Sequence, residues 1–143
     1  MTRSMLLLLA ISILFAAPVA SRAQSGPQWI DVEGPQDAKL RAAMFRPAGN
    51  GPFPVVVVLH GTPGGLRDEV VDWGPDLARA GFVTIIGCYF RGSKTVRIDG
   101  KNVNPCPDGP DLQHAHALDN AIALMYVGRR LPGARQDRVG LIA

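Results

Sequence analysis

Past its first two dozen residues this chain carries few groups able to do chemistry: Ser25 and Ser93, Cys88 and Cys106, three histidines, and the glycine-rich stretch His60-Gly61-Thr62-Pro63-Gly64-Gly65. Glycines lack a Cβ, so they either let backbone N–H groups approach a bound ligand or simply close a tight turn between a strand and a helix. Ser25 stands near the chain's start and Ser93 lies in Arg91-Gly92-Ser93. Neither has the flanking glycines or the adjacent base that would activate a hydroxyl, so neither reads as a nucleophile. Cys88 could attack as a thiolate if His114 or His116 met it, but a disulfide or a small core residue are the commoner uses of such a cysteine.

Metal and nucleotide chemistry fit less well. His114 and His116 stand two apart on an expected helix, which turns them to different faces and argues against a shared metal. Asp99, Asn102, Asn104 and Asp108 miss the spacing of a helix-loop-helix calcium loop and read as turn formers. Gly61, Gly64 and Gly65 do not make the dinucleotide-binding glycine pattern, Pro63 interrupts them, and no acidic residue ends the next strand. No metal and no organic cofactor is expected.

The elements that must position these groups alternate between strands and helices. Pro27 to Gly34 and Leu40 to Arg46, separated by Gly34-Pro35-Gln36-Asp37, predict an antiparallel hairpin. Val55 to Leu59 is a continuous β-branched run of the kind buried on both faces of a parallel sheet. Asp68 to Ala80 carries helical apolar spacing with Pro75 in its first turn and Gly81 past its end. Phe82 to Cys88 predicts the parallel partner strand. Arg91 to Pro110 is loop, with a small hairpin flap around Asp99-Gly100. Asp111 is expected to cap a helix whose Leu112, Ala115, Leu118, Ile122, Met125 and Tyr126 face the sheet, and Arg138 to Ala143 to begin another buried strand. The class is α/β: a hairpin, then a mostly parallel sheet with flanking helices.

The first 23 residues predict an export signal, with Arg3 before the apolar run Met5 to Ala17 and cleavage after Ala23. A membrane anchor or buried helix is the other reading, but the run is shorter than the ~20 residues a bilayer span needs. The predicted product, residues 24–143, is secreted or periplasmic and keeps no stable membrane anchor. The formal charge of the whole chain is +3, and loss of Arg3 and Arg22 brings the remainder close to neutral. Its basic residues are scattered (Lys39, Arg41, Arg46, Arg67, Arg79), so no nucleic-acid partner is expected. In an oxidising compartment Cys88 and Cys106 could pair, or remain two thiols that never meet; spacing alone does not decide.

Val55 to Leu59 followed by His60 to Gly65 resembles the third strand and oxyanion loop of the α/β-hydrolases, nearest the dienelactone hydrolase and prolyl-oligopeptidase-like branches. Leu77-Ala78-Arg79-Ala80-Gly81-Phe82 looks like that family's first helix entering its fourth strand. Tyr89-Phe90-Arg91-Gly92 looks like the segment after that strand, and Asp137-Arg138-Val139-Gly140-Leu141 like the strand that feeds the nucleophile. The resemblance implies an incomplete α/β-hydrolase fold in which Ala143 fills the first position of the nucleophile elbow. The Ser or Cys nucleophile would follow two residues later, and the Asp and His later still, so no catalytic residue is expected within these 143 residues.

By the same resemblance, the Thr62 N–H is one of two oxyanion donors, His60 orients the loop, and Gly61, Gly64 and Gly65 complete it. Tyr89 and Arg91 are expected in the substrate wall. The implied activity of the complete protein is hydrolysis of a small-molecule ester, a lactone or a peptide by acyl transfer, without a cofactor. The chain by itself is expected to be inactive and, with a hydrophobic edge at its last strand, prone to associate. The alternative is an exported binding module on the same scaffold.

Amino-terminal sequencing of the exported protein is expected to begin at Gln24. A product that retains Met5 to Ala17 would show an anchor instead.

Overall fold

A computed structural model describes residues 26–61, 66, 72–90, 96–98, 100–103 and 113–143. Strand β1 (Gln28–Glu33), a 3-10 turn at Pro35–Asp37 and β2 (Lys39–Phe45) form the expected antiparallel hairpin, with Val32 opposite Leu40. The turn is tight enough to place Gln36 and Asp37 in the left-handed region, at φ 53° and 63°. The Gly34 N–H donates to the Ala38 carbonyl and closes it.

Strands β3 (Phe53–Leu59) and β4 (Val83–Gly87) run parallel, Leu59 opposite Gly87. Val55 to Val58 and every residue of β4 are buried. Branched side chains suit a pleated surface covered on both sides, and each buried valine contributes about 1.5–3 kcal/mol. Strand β2 joins the other edge of β4 antiparallel, and β7 (Ala134–Ile142) pairs parallel with β3, giving the order β1-β2-β4-β3-β7. The expected flap is present as a separate hairpin of β5 (Val96–Ile98) and β6 (Lys101–Val103).

Helix α1 (Gly74–Arg79) is shorter than the Asp68 to Ala80 span expected from sequence. Residues 67–71 lie outside the described residues, and Trp73 is 48% exposed rather than packed. Its ends follow the expected chemistry, with Pro75 in the first turn and Gly81 at φ +96° beyond the C-cap Ala80. Gly74 lies so close to the Phe45 ring that a Cβ would sit 2.3 Å from it.

Phe45 pairs with Thr84 and so faces the same side of the sheet, which places α1 there. Helix α2 (Ala117–Gly128) covers the other side: a Cβ on Gly128 would lie 2.9 Å from Ile85 and 3.0 Å from Val55, and one on Gly87 would lie 2.3 Å from Leu124. Helices on opposite faces are what two right-handed crossovers leaving in opposite directions along a sheet produce.

Two expectations are corrected here. The second helix begins at Ala117, after a 3-10 turn at His114–His116, and has no side-chain cap; Asp111 and Leu112 lie outside the described residues. Its buried face is Asn120, Ala121, Leu124 and Gly128, whereas Leu118, Ile122 and Tyr126 are 72%, 55% and 49% exposed. Close approach to the sheet selects the face with the small residues, not the bulkiest apolar stripe. Among the described residues the last strand stands at the sheet's edge, as expected, but is half-exposed to exposed rather than buried. Gln136 to Arg138 are polar and exposed, and the segment from Val139 to Ile142 has the expected apolar character, with Leu141 47% exposed. No helix among the described residues is long and apolar enough to cross a membrane.

Because Leu124 is itself fully buried, Gly87→Ala forces a packed side chain to move. Chemical denaturation is expected to show a loss of about 1–3 kcal/mol, typical of overpacking.

Candidate functional site

The parallel register brings the carboxyl ends of β3 and β4 level and sets Ile142 of β7 beside them. Leu59 lies opposite Gly87 and Val58 opposite Ile142, so His60 and Gly61 leave the sheet beside Cys88 and Tyr89 on one flank and beside Ala143 on the other. This is the end at which open α/β sheets bind ligands. Gly61 is exposed, and a Cβ built on it would meet nothing within 4 Å. Thr62, Gly64, Gly65 and Arg91 lie outside the described residues.

The base of the loop is tied down by a polar and aromatic cluster. His60 is 1% exposed, and its Nδ1–H tautomer donates to the Gly61 carbonyl at 3.2 Å. Its ring stacks on Phe90 with centroids 5.0 Å apart and tilts against Tyr89 at 4.8 Å. Tyr89 meets Phe90 edge-on at 4.6 Å, and His114 meets Phe90 edge-on at 5.4 Å. The Tyr89 hydroxyl donates to the His60 carbonyl at 2.9 Å, and the Asn120 side-chain amide donates to the Tyr89 carbonyl at 3.0 Å. Burial pushes the Tyr89 hydroxyl pKa up, so this group stays a donor into the alkaline range.

Of the residues singled out from sequence, the fold gathers His60, Gly61, Cys88 and Tyr89 at one sheet end. His114 and His116 sit on a 3-10 turn rather than within a helix, with His114 exposed at the rim of the cluster. Among the described residues no group of three or more His, Cys, Asp or Glu side chains is arranged to hold a metal. Cys88 is 1% exposed and disulfide-bonded, which removes the thiolate a nucleophile would need; Cys106 lies outside the described residues.

Asn120 was not singled out by sequence. Its position, four and eight residues before Leu124 and Gly128 on one helix face, is the signal that would have found it.

A concavity of about 420 Å³ lies between Ile122, Met125 and Tyr126 of α2 and Val139 of β7. It is near the amino-terminal half of β7, away from Gly61. At its rim Arg135 donates to Asp137 at 3.2 Å, and this bond, first, holds the Asp137 carboxyl below its ordinary range. The pair is exposed and stabilises little.

No protein-family model matches the chain, and no curated protein matches it in sequence. Solved structures do match. A Klebsiella pneumoniae protein described as a dienelactone hydrolase aligns at 22% identity and a TM-score of 0.53, over 81% of this chain and 49% of its own. Brefeldin A esterase, a bacterial homologue of human hormone-sensitive lipase, aligns at 16% identity and 0.55, over 94% of this chain and 34% of its own. Esterase Est22 aligns at 14% identity and 0.58, over 80% of this chain and 33% of its own. The likeness is one of fold, and the chain spans between a third and a half of the length of these three proteins.

Titration of the denatured, unreduced protein is expected to find no free thiol. Reduction is expected to lower the unfolding free energy by about 3 kcal/mol in the chain-entropy picture of a loop closed between Cys88 and Cys106.

Proposed function

On the premise that this chain carries the first part of an α/β-hydrolase fold, we propose that it is the amino-terminal portion of an exported hydrolase that cleaves an ester, lactone or peptide bond by nucleophilic acyl transfer. The observation that carries this reading is the β3–β7 register. Continued one step beyond Val58 and Ile142 it sets Leu59 against Ala143, and two steps more set position 145 against Gly61. A nucleophile at that position stands one strand spacing, about 4.8 Å, from the start of the glycine loop. That is the reach an acyl-transfer site needs between the attacking atom and the donors that receive the oxyanion.

In this mechanism a histidine later in the chain takes the proton of the Ser or Cys at position 145 as that residue attacks the substrate carbonyl carbon. The carbonyl oxygen takes up the negative charge and accepts hydrogen bonds from the Thr62 N–H and from the residue after the nucleophile. Collapse of the tetrahedral intermediate expels the alcohol or amine, which takes a proton from the same histidine. Water then releases the acyl group by the same route. Residues 24–143 supply half of the oxyanion hole and part of the substrate wall, and none of the triad.

The polypeptide that continues past Ala143 is expected to hydrolyse p-nitrophenyl acetate and to lose that activity when position 145 is replaced by Ala, while residues 24–143 alone release no p-nitrophenol above background. A longer polypeptide that binds acyl compounds without turning them over would place the protein among non-catalytic binding modules on this scaffold.

A further inference from the structure

Asn120 is fully buried in the face of α2 that packs against the sheet. Burying an amide among apolar groups is costly unless it is hydrogen-bonded, so its partner identifies what it is for. Its Nδ2 donates to the carbonyl of Tyr89, two residues past the end of β4 and outside the sheet ladder. The hydroxyl of the same Tyr89 donates to the carbonyl of His60, the first residue past β3. Two hydrogen bonds, each spanning about thirty residues of sequence, thus join α2 to the exit of β4 and the exit of β4 to the exit of β3.

The peptide bond between His60 and Gly61 is planar, so a donor that fixes the His60 carbonyl fixes the Gly61 N–H on the opposite side of the same plane. We infer that Asn120 and Tyr89 are positioning residues, acting in series through the His60 carbonyl to set the angle at which the chain enters the glycine loop. This inference rests on the acyl-transfer reading. It gives Tyr89 a role inside the protein rather than on the substrate wall. The His60, Tyr89 and Phe90 rings stiffen the relay laterally. Small displacements of an oxyanion donor cost far more in turnover than in binding, because the donor's full strength is realised only in the transition state.

The test uses the full-length polypeptide with Tyr89→Phe, which keeps the ring stack and removes only the hydroxyl, and with Asn120→Ala. Two readouts are taken: steady-state hydrolysis of p-nitrophenyl acetate, and hydrogen exchange at the Gly61 amide with Val55 to Val58 as the internal control. The inference predicts a kcat about 10-fold lower with KM within twofold, and faster exchange at Gly61 while the β3 amides stay protected. Wild-type kcat and wild-type Gly61 exchange in Tyr89→Phe would overturn it. If the wild-type protein turns over no ester, the acyl-transfer reading fails by itself, and Gly61 exchange alone then decides the relay. If Asn120→Ala speeds exchange throughout the sheet, the Tyr89→Phe result decides.

Discussion

The parallel pairing of β3 with β4 on one side and β7 on the other is the constraint on which the rest of the molecule depends. Parallel strands can be joined only by crossovers, and right-handed crossovers leaving β3 and β4 in opposite directions put α1 and α2 on opposite faces. The same pairing ends β3 and β4 at one level and carries β7 alongside it. His60, Gly61, Cys88 and Tyr89, all singled out from the sequence, are found at or next to that end.

Holding that arrangement requires helices that lie close against the sheet. Gly74 against Phe45, Gly87 against Leu124 and Gly128 against Ile85 and Val55 remove the Cβ atoms that would keep the layers apart. Close approach has a second consequence on the α2 side, because a side chain as short as Asn120 can then reach the backbone beyond β4. Packing and site geometry are therefore coupled. The helix face that fits the sheet most closely is also the face that carries the hydrogen bond to Tyr89.

Much of this was legible in the residues. The β-branched runs at Val55 to Leu59 and Val83 to Ile86 have one stable environment, a sheet covered on both faces, and the hairpin turn and Gly81 carry their own backbone chemistry. The fold class followed from those, and so did the parallel pairing that brings His60 and Gly61 beside Cys88 and Tyr89. The orientation of α2 did not, since apolar periodicity selected Leu118, Ile122 and Tyr126, whereas close packing selected Ala121, Leu124 and Gly128. Side-chain size at the contact outweighed hydrophobicity, and a buried asparagine looks polar from sequence until its partner is known. The exposed stripe on α2 and the apolar segment Val139 to Ile142 of β7 remain on the surface of these residues, and edge strands of that character favour pairing with further strands.

The central claim is that β7 delivers a nucleophile to the glycine loop. Sequencing the gene across and beyond codon 143 tests it most directly. The account predicts an in-frame or frameshifted nucleophile elbow with its Ser or Cys at position 145, followed later by codons for an Asp and a His. A stop codon there, with no such elbow downstream in any frame, would contradict the catalytic reading and leave a scaffold without the chemistry.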